Sequence, residues 1–345
     1  MNPLELLPIP LLEWYEDHKR DLPWREDVTP YRVWVSEIML QQTRVAAVLG
    51  YFTRFMQALP TVGDLATVSE DELLKLWQGL GYYSRARNLQ KAAKQIVFDL
   101  EGTFPEDYAG LRGLSGIGDY TAAAIASIAF GQPYPAVDGN LLRVVARLTA
   151  DFEDITTTSM KKKVTQALTE VIPAKVPGAF NQAMMDLGAT VCLPNGAPLC
   201  HLCPLSDFCL ANQQGLQAML PVRASKKARR IEERDVFLMF SQDRVALRQR
   251  SEGGLLAKLW EYPNELSDKE EPTLPYDLQG DAPRFVGVGR HIFSHVEWHL
   301  RLYALRVQDE ALPQGWVWAT REELSQRYAI PNAFSSCSGI WEDDF

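Results

Sequence analysis

LSGIGDYTAAAIASIAFG, residues 114–131, joins two segments of helical pattern through a glycine-X-glycine turn. Gly116 and Gly118 would let backbone N–H groups at the start of the second helix approach a phosphate closely, because glycine has no side chain. A hairpin of this kind grips a nucleic-acid backbone without reading its bases. Alone, a G-x-G sequence is more typical of an ordinary turn between helices. With the motifs described below, it predicts a helix-hairpin-helix over residues 111–130.

Four of the five cysteines lie within 18 residues, at Cys192, Cys200, Cys203 and Cys209. Their spacing, C-x7-C-x2-C-x5-C, fits a 4Fe-4S cluster better than a zinc ion, for which His201 is a spare ligand. Disulfides are disfavoured, because a chain with one further cysteine is typical of a reducing compartment. Residues 192–209 are therefore predicted to form a metal-cluster loop. Such clusters serve electron transfer, structure and DNA repair alike, so the loop assigns no function.

The length of 345 residues predicts two domains. Residues 1–210 have helical periodicity, whereas VEWHLRLYALRV at 296–307 alternates apolar and polar residues as a half-buried strand does. Between them, residues 211–234 hold six Lys or Arg against two Asp or Glu. We therefore predict an all-α domain over 1–210, a basic interdomain linker over 211–234 and an α+β domain over 235–345.

Helical spacing in YRVWVSEIMLQQTRVAAVLGYF, residues 31–52, predicts a buried apolar stripe and a separate polar face. The stripe comprises Trp34, Ile38, Val45 and Leu49, and the polar face comprises Glu37, Gln41 and Arg44. Further helices are predicted at 70–78, 84–99, 120–130, 140–149, 159–172 and 178–191. Two strands around a short turn are predicted in VFLMFSQDRVALRQR, residues 236–250.

The net charge of −9 argues against wholesale coating of a nucleic acid. The basic linker is either a solvated connection or a strap that touches phosphates. The sequence has no apolar run of 18 or more residues, and its first twenty residues lack a basic segment before the apolar stretch. We therefore expect a cytoplasmic protein without a membrane span or signal peptide.

Long segments of the chain resemble the MutY-type adenine DNA glycosylases of the endonuclease III-like helix-hairpin-helix superfamily. These segments are LPWR at 22–25, PYRVWVSEIMLQQT at 30–43, WQGLGYYSRARNL at 77–89, VDGN at 137–140 and FNQAMMDLGA at 180–189. The hairpin, an aspartate about twenty residues later and the cysteine loop follow the same order. Two features depart from the family: the first cysteine gap is seven residues instead of six, and LSGIG replaces LPGVG.

The resemblance implies a pair of catalytic carboxyl groups. Glu37, raised in pKa by burial, would protonate the leaving adenine, most usefully at N7. Ionised Asp138 would stabilise the positive charge on the sugar or trap the sugar covalently, and it also suits a helix cap. Lyases of the superfamily carry a nucleophilic lysine where this chain has Tyr120, which implies a monofunctional enzyme. Tyr120 is expected to hydrogen-bond to Asp138.

Base extrusion is required, because the bond to be cut is inaccessible in a stacked duplex. By resemblance, Leu40, Gln42 and Thr43 approach the opposing base and the gap left by adenine. Tyr82 resembles the residue that wedges beside the damaged guanine. The adenine pocket is expected to be lined by Gln182, Arg25 and Trp24.

Residues 235–345 resemble the Nudix-like C-terminal domain of the same glycosylases. Phe293, Ser294 and His295 match the loop that meets 8-oxoguanine. A Nudix hydrolase needs a box of the form R-E-x2-E-E to bind Mg²⁺, and TREEL at 320–324 lacks the paired glutamates. The domain is therefore expected to recognise the lesion without hydrolysing nucleotides.

We expect an adenine DNA glycosylase, monomeric, acting on double-stranded DNA with adenine opposite 8-oxoguanine or guanine. Three alternatives are an endonuclease III-like glycosylase/lyase for oxidised pyrimidines, a Nudix nucleotide hydrolase, and a non-catalytic DNA-binding protein. Hydrolysis of an N-glycosidic bond is not a redox reaction. The cluster is therefore expected to hold its loop rigid near phosphates. The loop carries no Lys or Arg, so Arg143, Arg147 or the basic linker would supply the positive charge.

Overall fold

The computed structural model describes residues 2–224, 228–267, 272, 274, 280–308 and 312–341. The chain forms two compact units: Met1–Thr67 with Asn88–Ser225, and Val68–Arg87 with Lys226–Phe345. Residues 225–227 of the predicted linker lie outside the described residues. Within the described part of the chain, none of the helices has the length and apolar character needed to cross a bilayer.

The chain before the first strand is helical, as predicted. Its α-helices are α1 Pro3–Leu6, α2 Pro8–His18, α3 Pro23–Glu26, α4 Pro30–Leu40, α5 Val45–Ala58, α6 Val62–Thr67, α7 Glu70–Leu76, α8 Ser84–Lys94, α9 Tyr108–Gly113, α10 Asp119–Ile128, α11 Gly139–Leu148, α12 Thr158–Val171, α13 Pro177–Thr190 and α14 Leu210–Gln214. A π-helical turn, Gln95–Asp99, continues α8.

The predicted continuous apolar stripe over residues 31–52 is wrong, because this segment forms two helices instead of one. α4 ends at Leu40, and Gln42 has a left-handed backbone with φ of 59° before α5 begins. Trp34 and Ile38 are buried as expected, but Leu49 is exposed because the break rotates α5 relative to the extrapolated stripe. The turn at residues 41–44 is thereby free to form part of a surface cleft.

Close packing of α4, α10 and α13 brings the predicted site residues of the first unit together. α10 consists largely of small residues, and α13 approaches it at Gly178, where a Cβ atom would lie 2.8 Å from the Ser127 carbonyl oxygen. Glu37 lies on α4, Tyr120 on α10 and Gln182 on α13. Beneath them, an apolar core joins α2, α11, α12 and α13.

The second unit contains a seven-stranded mixed sheet. Its strands are β1 Arg230–Ser241, β2 Arg244–Gln249, β3 Trp260–Glu261, β4 Asn264–Leu266, β5 Arg284–Ile292, β6 Val296–Arg306 and β7 Trp316–Thr320, and α15 Arg321–Gln326 follows. The main order is β3-β2-β1-β6-β5, with β1 and β6 parallel; β4 pairs with β1 and β7 with β2. Val296, Trp298, Leu300 and Leu302 of β6 are buried, as the alternation predicts.

Residues 68–87 pack with the sheet unit although they lie within the range predicted for the helical domain. The Lys75 ammonium group donates to the carbonyl oxygens of Leu324 and Tyr328, each at 3.1 Å, and Arg87 donates to the Ala257 carbonyl oxygen at 2.8 Å. At the other boundary, β1 begins at Arg230, inside the predicted linker. The compact units therefore divide the chain differently from the predicted ranges.

Candidate active site

A cleft of about 780 Å³ lies within the first unit. It brings together every predicted site residue of that unit outside the cysteine loop: Trp24, Arg25, Glu37, Leu40, Gln42, Thr43, Gly116, Gly118, Tyr120, Asp138 and Gln182. These residues come from α3, α4, the turn after α4, the hairpin, the start of α11 and α13. Segments far apart in the chain thus converge on one cavity.

Glu37 is a buried carboxyl group at the cleft, with 5% of its surface exposed. Burial raises its pKa to about 7, and the nearby charge of Asp138 acts in the same direction. The hydrogen bond from Tyr120 and the positive charge of Arg25 oppose this rise. Glu37 therefore retains a proton over a large part of the neutral range, as a general acid requires.

The predicted hydrogen bond between Tyr120 and Asp138 is wrong, since the Tyr120 hydroxyl donates to Glu37 Oε2 at 2.6 Å. Burial and the charges of Glu37 and Asp138 hold the pKa of Tyr120 well above its usual range. The phenol therefore remains a donor. One side of the Glu37 carboxyl is fixed by this bond, and Tyr120 acts on Glu37 rather than on Asp138.

Asp138 caps α11 and keeps its carboxyl group at the cleft. Its Oδ1 accepts the backbone N–H groups of Asn140 and Leu141 at 2.9 and 2.8 Å, and its Oδ2 accepts the Asn140 side-chain amide at 3.1 Å. Burial raises the pKa of Asp138, and these N–H donors oppose the rise because they stabilise the ionised form. The position at the positive end of α11 favours a charged carboxylate as well.

Asn181 holds the segment that precedes Asp138, a role that was not predicted from the sequence. The residue is fully buried, and its side chain bonds to the Ala136 backbone N–H at 3.0 Å and to the Tyr134 carbonyl oxygen at 2.8 Å. It also donates to the Ser127 hydroxyl on α10 at 2.8 Å. The segment before Asp138 is thereby bonded to α10 and α13.

The predicted hairpin is present between α9 and α10. Gly116 has φ of 75°, and a Cβ atom there would lie 2.6 Å from the Asn88 Cβ, so only glycine fits. Gly118 is the N-cap of α10. Asp119, the first residue of α10, pairs with Arg112 at 2.8 Å and with Lys161 at 3.4 Å. Lys161 also lines the cleft, which the sequence did not predict.

Asp186 holds Arg20 and Arg25, which line the cleft, and this role was not predicted from the sequence. Its carboxylate is fully buried and accepts two hydrogen bonds from Arg25, at 2.8 and 2.9 Å, and one from Arg20 Nε at 2.8 Å. Burial acts to raise the pKa of Asp186, but the hydrogen bonds and charges of the two arginines outweigh it and hold the pKa below its usual value. The four-residue spacing from Gln182 on α13 was the signal available in the sequence.

The four cysteines of the predicted cluster line one apolar cavity of about 30 Å³. Burial raises the pKa of the Cys203 thiol to about 12, and the neighbouring sulfur atoms contribute to the rise. In the described part of the chain, no three His, Cys, Asp or Glu side chains surround a single ion position. The four thiols thus line one shared apolar cavity.

The expectation that Arg143 and Arg147 face phosphates is wrong. Both are buried on α11 and bond to the cysteine loop. Arg143 donates to the carbonyl oxygens of Cys192 and Gly188, at 3.0 and 2.7 Å. Arg147 donates to Cys192 Sγ at 3.3 Å and to the Leu193 carbonyl oxygen at 2.9 Å. Both guanidinium groups are therefore occupied by hydrogen bonds within the first unit, as buried cations require.

Two predicted contact sites of the second unit lie together. The Tyr82 hydroxyl and Ser294 Oγ are 2.9 Å apart. Tyr82 is 45% exposed with a left-handed φ of 48°, a conformation that costs energy and is often found at functional sites. Ser294 and His295 form the exposed turn between β5 and β6, closed by a bond from the Phe293 backbone N–H to the Val296 carbonyl oxygen.

Phe293 points inward and anchors this turn. Its ring packs edge-on against Trp298 with centroids 4.8 Å apart. The Trp298 indole N–H donates to Glu232 at 2.9 Å, and the Arg234 guanidinium lies 4.6 Å from its ring. The exposed pair of Ser294 and His295 is therefore carried on a supported turn.

Two family models match the chain. The model described as HhH-GPD superfamily base excision DNA repair protein matches residues 35–174, and the model described as NUDIX domain matches residues 235–337. These matches confirm the predicted fold classes, a helix-hairpin-helix glycosylase domain followed by a Nudix-like domain.

Similar curated proteins include adenine DNA glycosylases from animals and bacteria. The chain is 37% identical to that of Homo sapiens, over 91% of this chain and 70% of the relative. It is 34% identical to that of Buchnera aphidicola subsp. Schizaphis graminum, over 74% of this chain and 73% of the relative.

Solved structures with a similar fold match the helical part. A thermostable thymine-DNA glycosylase aligns with a TM-score of 0.55 and 26% identity, over 61% of this chain and 97% of that one. Endonuclease III in a non-covalent complex with DNA aligns with a TM-score of 0.52 and 25% identity, over 62% and 98% of the two chains.

The raised pKa of Glu37 predicts a pH-dependent cost to stability. Because the folded protein disfavours the ionised form, stability falls as pH rises from about 4.5 to about 7, by about 3 kcal/mol, and then levels off. Glu37→Gln lacks this cost, so its thermal midpoint should exceed that of the wild type more at pH 8 than at pH 4.5. Thermal unfolding at both pH values measures the difference. Exposed Glu170→Gln is the control, and a constant Glu37→Gln difference would contradict the prediction.

Proposed function

The chain belongs to the adenine DNA glycosylase family, and we propose that it hydrolyses the N-glycosidic bond of adenine mispaired with 8-oxoguanine or guanine. The product is an abasic site in double-stranded DNA. The observation that carries this proposal is the pair of carboxyl groups in one cleft, one buried with a pKa of about 7 and one capped by N–H donors. Such a pair separates the roles of acid and charge stabiliser.

Glu37 is proposed as the general acid. Adenine is a poor leaving group as an anion, so a proton delivered to a ring nitrogen lowers the barrier to breaking the bond. The Tyr120 hydroxyl, bonded to Oε2 at 2.6 Å, orients the carboxyl group and favours delivery of the proton from the other oxygen. Tyr120 is therefore assigned a positioning role on Glu37.

Asp138 is proposed to stabilise the positive charge that develops on the sugar. Its two oxygens accept three hydrogen bonds, which hold the carboxylate in place before the reaction begins. Water then adds to the sugar and completes hydrolysis. The hydroxyl of Tyr120 is not an amine nucleophile, which supports a monofunctional enzyme with little strand cleavage.

DNA engagement is proposed to involve both units. In the first, Gly116 and Gly118 approach the backbone, while Leu40, Gln42 and Thr43 meet the opposing base and the gap left by adenine. In the second, Tyr82 wedges beside the damaged guanine, and the turn of Phe293, Ser294 and His295 reads its altered edge. The 2.9 Å contact between Tyr82 and Ser294 supports joint action by these two residues.

A 4Fe-4S cluster is proposed as the cofactor, held by Cys192, Cys200, Cys203 and Cys209. Their shared apolar cavity and their C-x7-C-x2-C-x5-C spacing favour a multinuclear cluster over zinc. When bound, the cluster supplies a covalent tie that holds residues 192–209 rigid. The monomeric state and the cytoplasmic location remain predictions.

The central prediction is release of adenine from a duplex with adenine opposite 8-oxoguanine. The strand should break only after hot alkali, since no amine cuts it. Glu37→Gln should bind the duplex like the wild type but lose excision by at least about 100-fold. Single-turnover assays on denaturing gels measure excision, and a binding assay with the same duplex measures affinity. Glu170→Gln is the control in each assay. Breakage without alkali would contradict the monofunctional assignment, and no adenine release would contradict the function.

Recognition of the lesion should depend on the hydroxyl pair of Tyr82 and Ser294. Tyr82→Phe and Ser294→Ala should each lower the preference for adenine opposite 8-oxoguanine over guanine by roughly three- to tenfold, the effect of one hydrogen bond. Ser325→Ala, in the same unit, is the control. Excision rates on the two duplexes measure the preference, and equal losses on both would count against a reading role.

The cluster predicts iron in the purified protein. Cys203→Ser should lose the iron and bind duplex DNA more weakly, with an unchanged salt dependence, because the loop carries no Lys or Arg that could neutralise phosphates. Cys337→Ser is the matched control, because Cys337 is buried in the other unit. Metal analysis and binding at several salt concentrations measure these effects. Zinc in place of iron would refute the cofactor, and unchanged affinity after iron loss would refute its structural role.

A further inference from the structure

The amide of Gln182 at the cleft has one defined orientation. Its Oε1 accepts a hydrogen bond from the Tyr15 hydroxyl at 2.9 Å. A glutamine amide carries an acceptor on one side and two donors on the other, so it offers opposite patterns to a base when it rotates by half a turn. With Oε1 held by Tyr15, the N–H₂ group is the side directed to a ligand in the cleft.

Tyr15 is itself held from two sides. It is buried on α2, with 6% of its surface exposed, and the Arg25 guanidinium lies 5.8 Å from its ring centroid. Arg25 is clamped by two hydrogen bonds to Asp186, which lies one helical turn beyond Gln182 on α13. Burial raises the pKa of Tyr15, so the phenol keeps the proton that it donates. Asp186, Arg25, Tyr15 and Gln182 thus form a continuous chain of contacts.

We propose that Tyr15 is a specificity-determining positioning residue, which holds Gln182 with its N–H₂ group toward the base and thereby selects adenine. The inference rests on the proposed function. Adenine has only acceptors among its free ring nitrogens, so a fixed donor can pair with it. In the proposed arrangement the N–H₂ group meets N1, where hypoxanthine carries an N–H, so this hydrogen bond is lost and two donors face each other. A site that leaves polar groups unpaired rejects its ligand.

Tyr15→Phe tests the proposal, because it removes one oxygen and keeps the ring. Binding is measured to duplexes that carry non-cleavable 2′-fluoro analogues of deoxyadenosine or deoxyinosine opposite 8-oxoguanine. We expect the wild type to prefer the adenine duplex. Tyr15→Phe should lower this preference by roughly three- to tenfold, since the released amide can rotate and present its oxygen to the N1–H.

A double-mutant cycle separates this effect from general loosening. In a Gln182→Ala background, Tyr15→Phe should not change the preference further, because the amide that it orients is gone. Tyr31→Phe is the matched control and should leave the preference intact, because Tyr31 is also buried and its hydroxyl donates to the Leu59 carbonyl oxygen, away from the residues that line the cleft. Thermal midpoints of all variants verify folding.

Two outcomes would overturn the proposal: an unchanged preference in folded Tyr15→Phe, or the same drop with and without Gln182. Failure of the proposed function gives a different result. In that case the wild type releases no adenine from its duplex, whichever base it binds more tightly.

Discussion

The burial of one carboxyl group, Glu37, is the constraint on which the rest of the first unit depends. A carboxyl group with 5% exposure favours its neutral form, and its pKa of about 7 reflects that cost. The Tyr120 hydroxyl at 2.6 Å reduces the cost without removing it, because a neutral donor stabilises the anion less than a cation at the same distance would. Were Arg25 bonded directly to Glu37, the acid would be ionised at neutral pH. Asp186 holds Arg25 instead, so this cation affects Glu37 only from a distance.

The second carboxyl group of the cleft has different partners. Asp138 is less buried than Glu37, and it accepts backbone N–H groups at the first turn of α11. Helix caps stabilise a carboxylate through short bonds and the favourable end of the helix dipole, and they need no mobile side chain. The two acidic residues of this cavity therefore differ in how far their ionised forms are stabilised, because one faces a single phenol and the other faces the N–H donors of a helix end.

Local sequence patterns predicted most helices and strands. They predicted fewer of the contacts between residues that lie far apart in the chain. The hairpin at Gly116 was predictable, because the turn between its helices needs a left-handed backbone conformation that glycine adopts readily. The break after Leu40 was not, since the apolar spacing continues through it and only the left-handed Gln42 marks the turn. The partner of Tyr120 and the burial of Arg143 depend on helices distant in sequence. The spacing of apolar residues shows which face of a helix is buried but does not identify the helix that packs against it. Those contacts therefore could not be predicted from the sequence.

The cysteine loop bears on the chemistry through α11, even though it lies in a separate cavity. Arg143 and Arg147 bond α11 to the backbone and sulfur of the loop, and the N-cap of α11 is Asp138. A displacement of the loop would therefore strain the helix whose N-cap is Asp138, the carboxylate proposed to stabilise the sugar. Arginines that face inward cannot neutralise phosphates, so the charges of Arg143 and Arg147 serve the loop and not a DNA backbone. The loop is better understood as a brace for α11 than as a cationic surface.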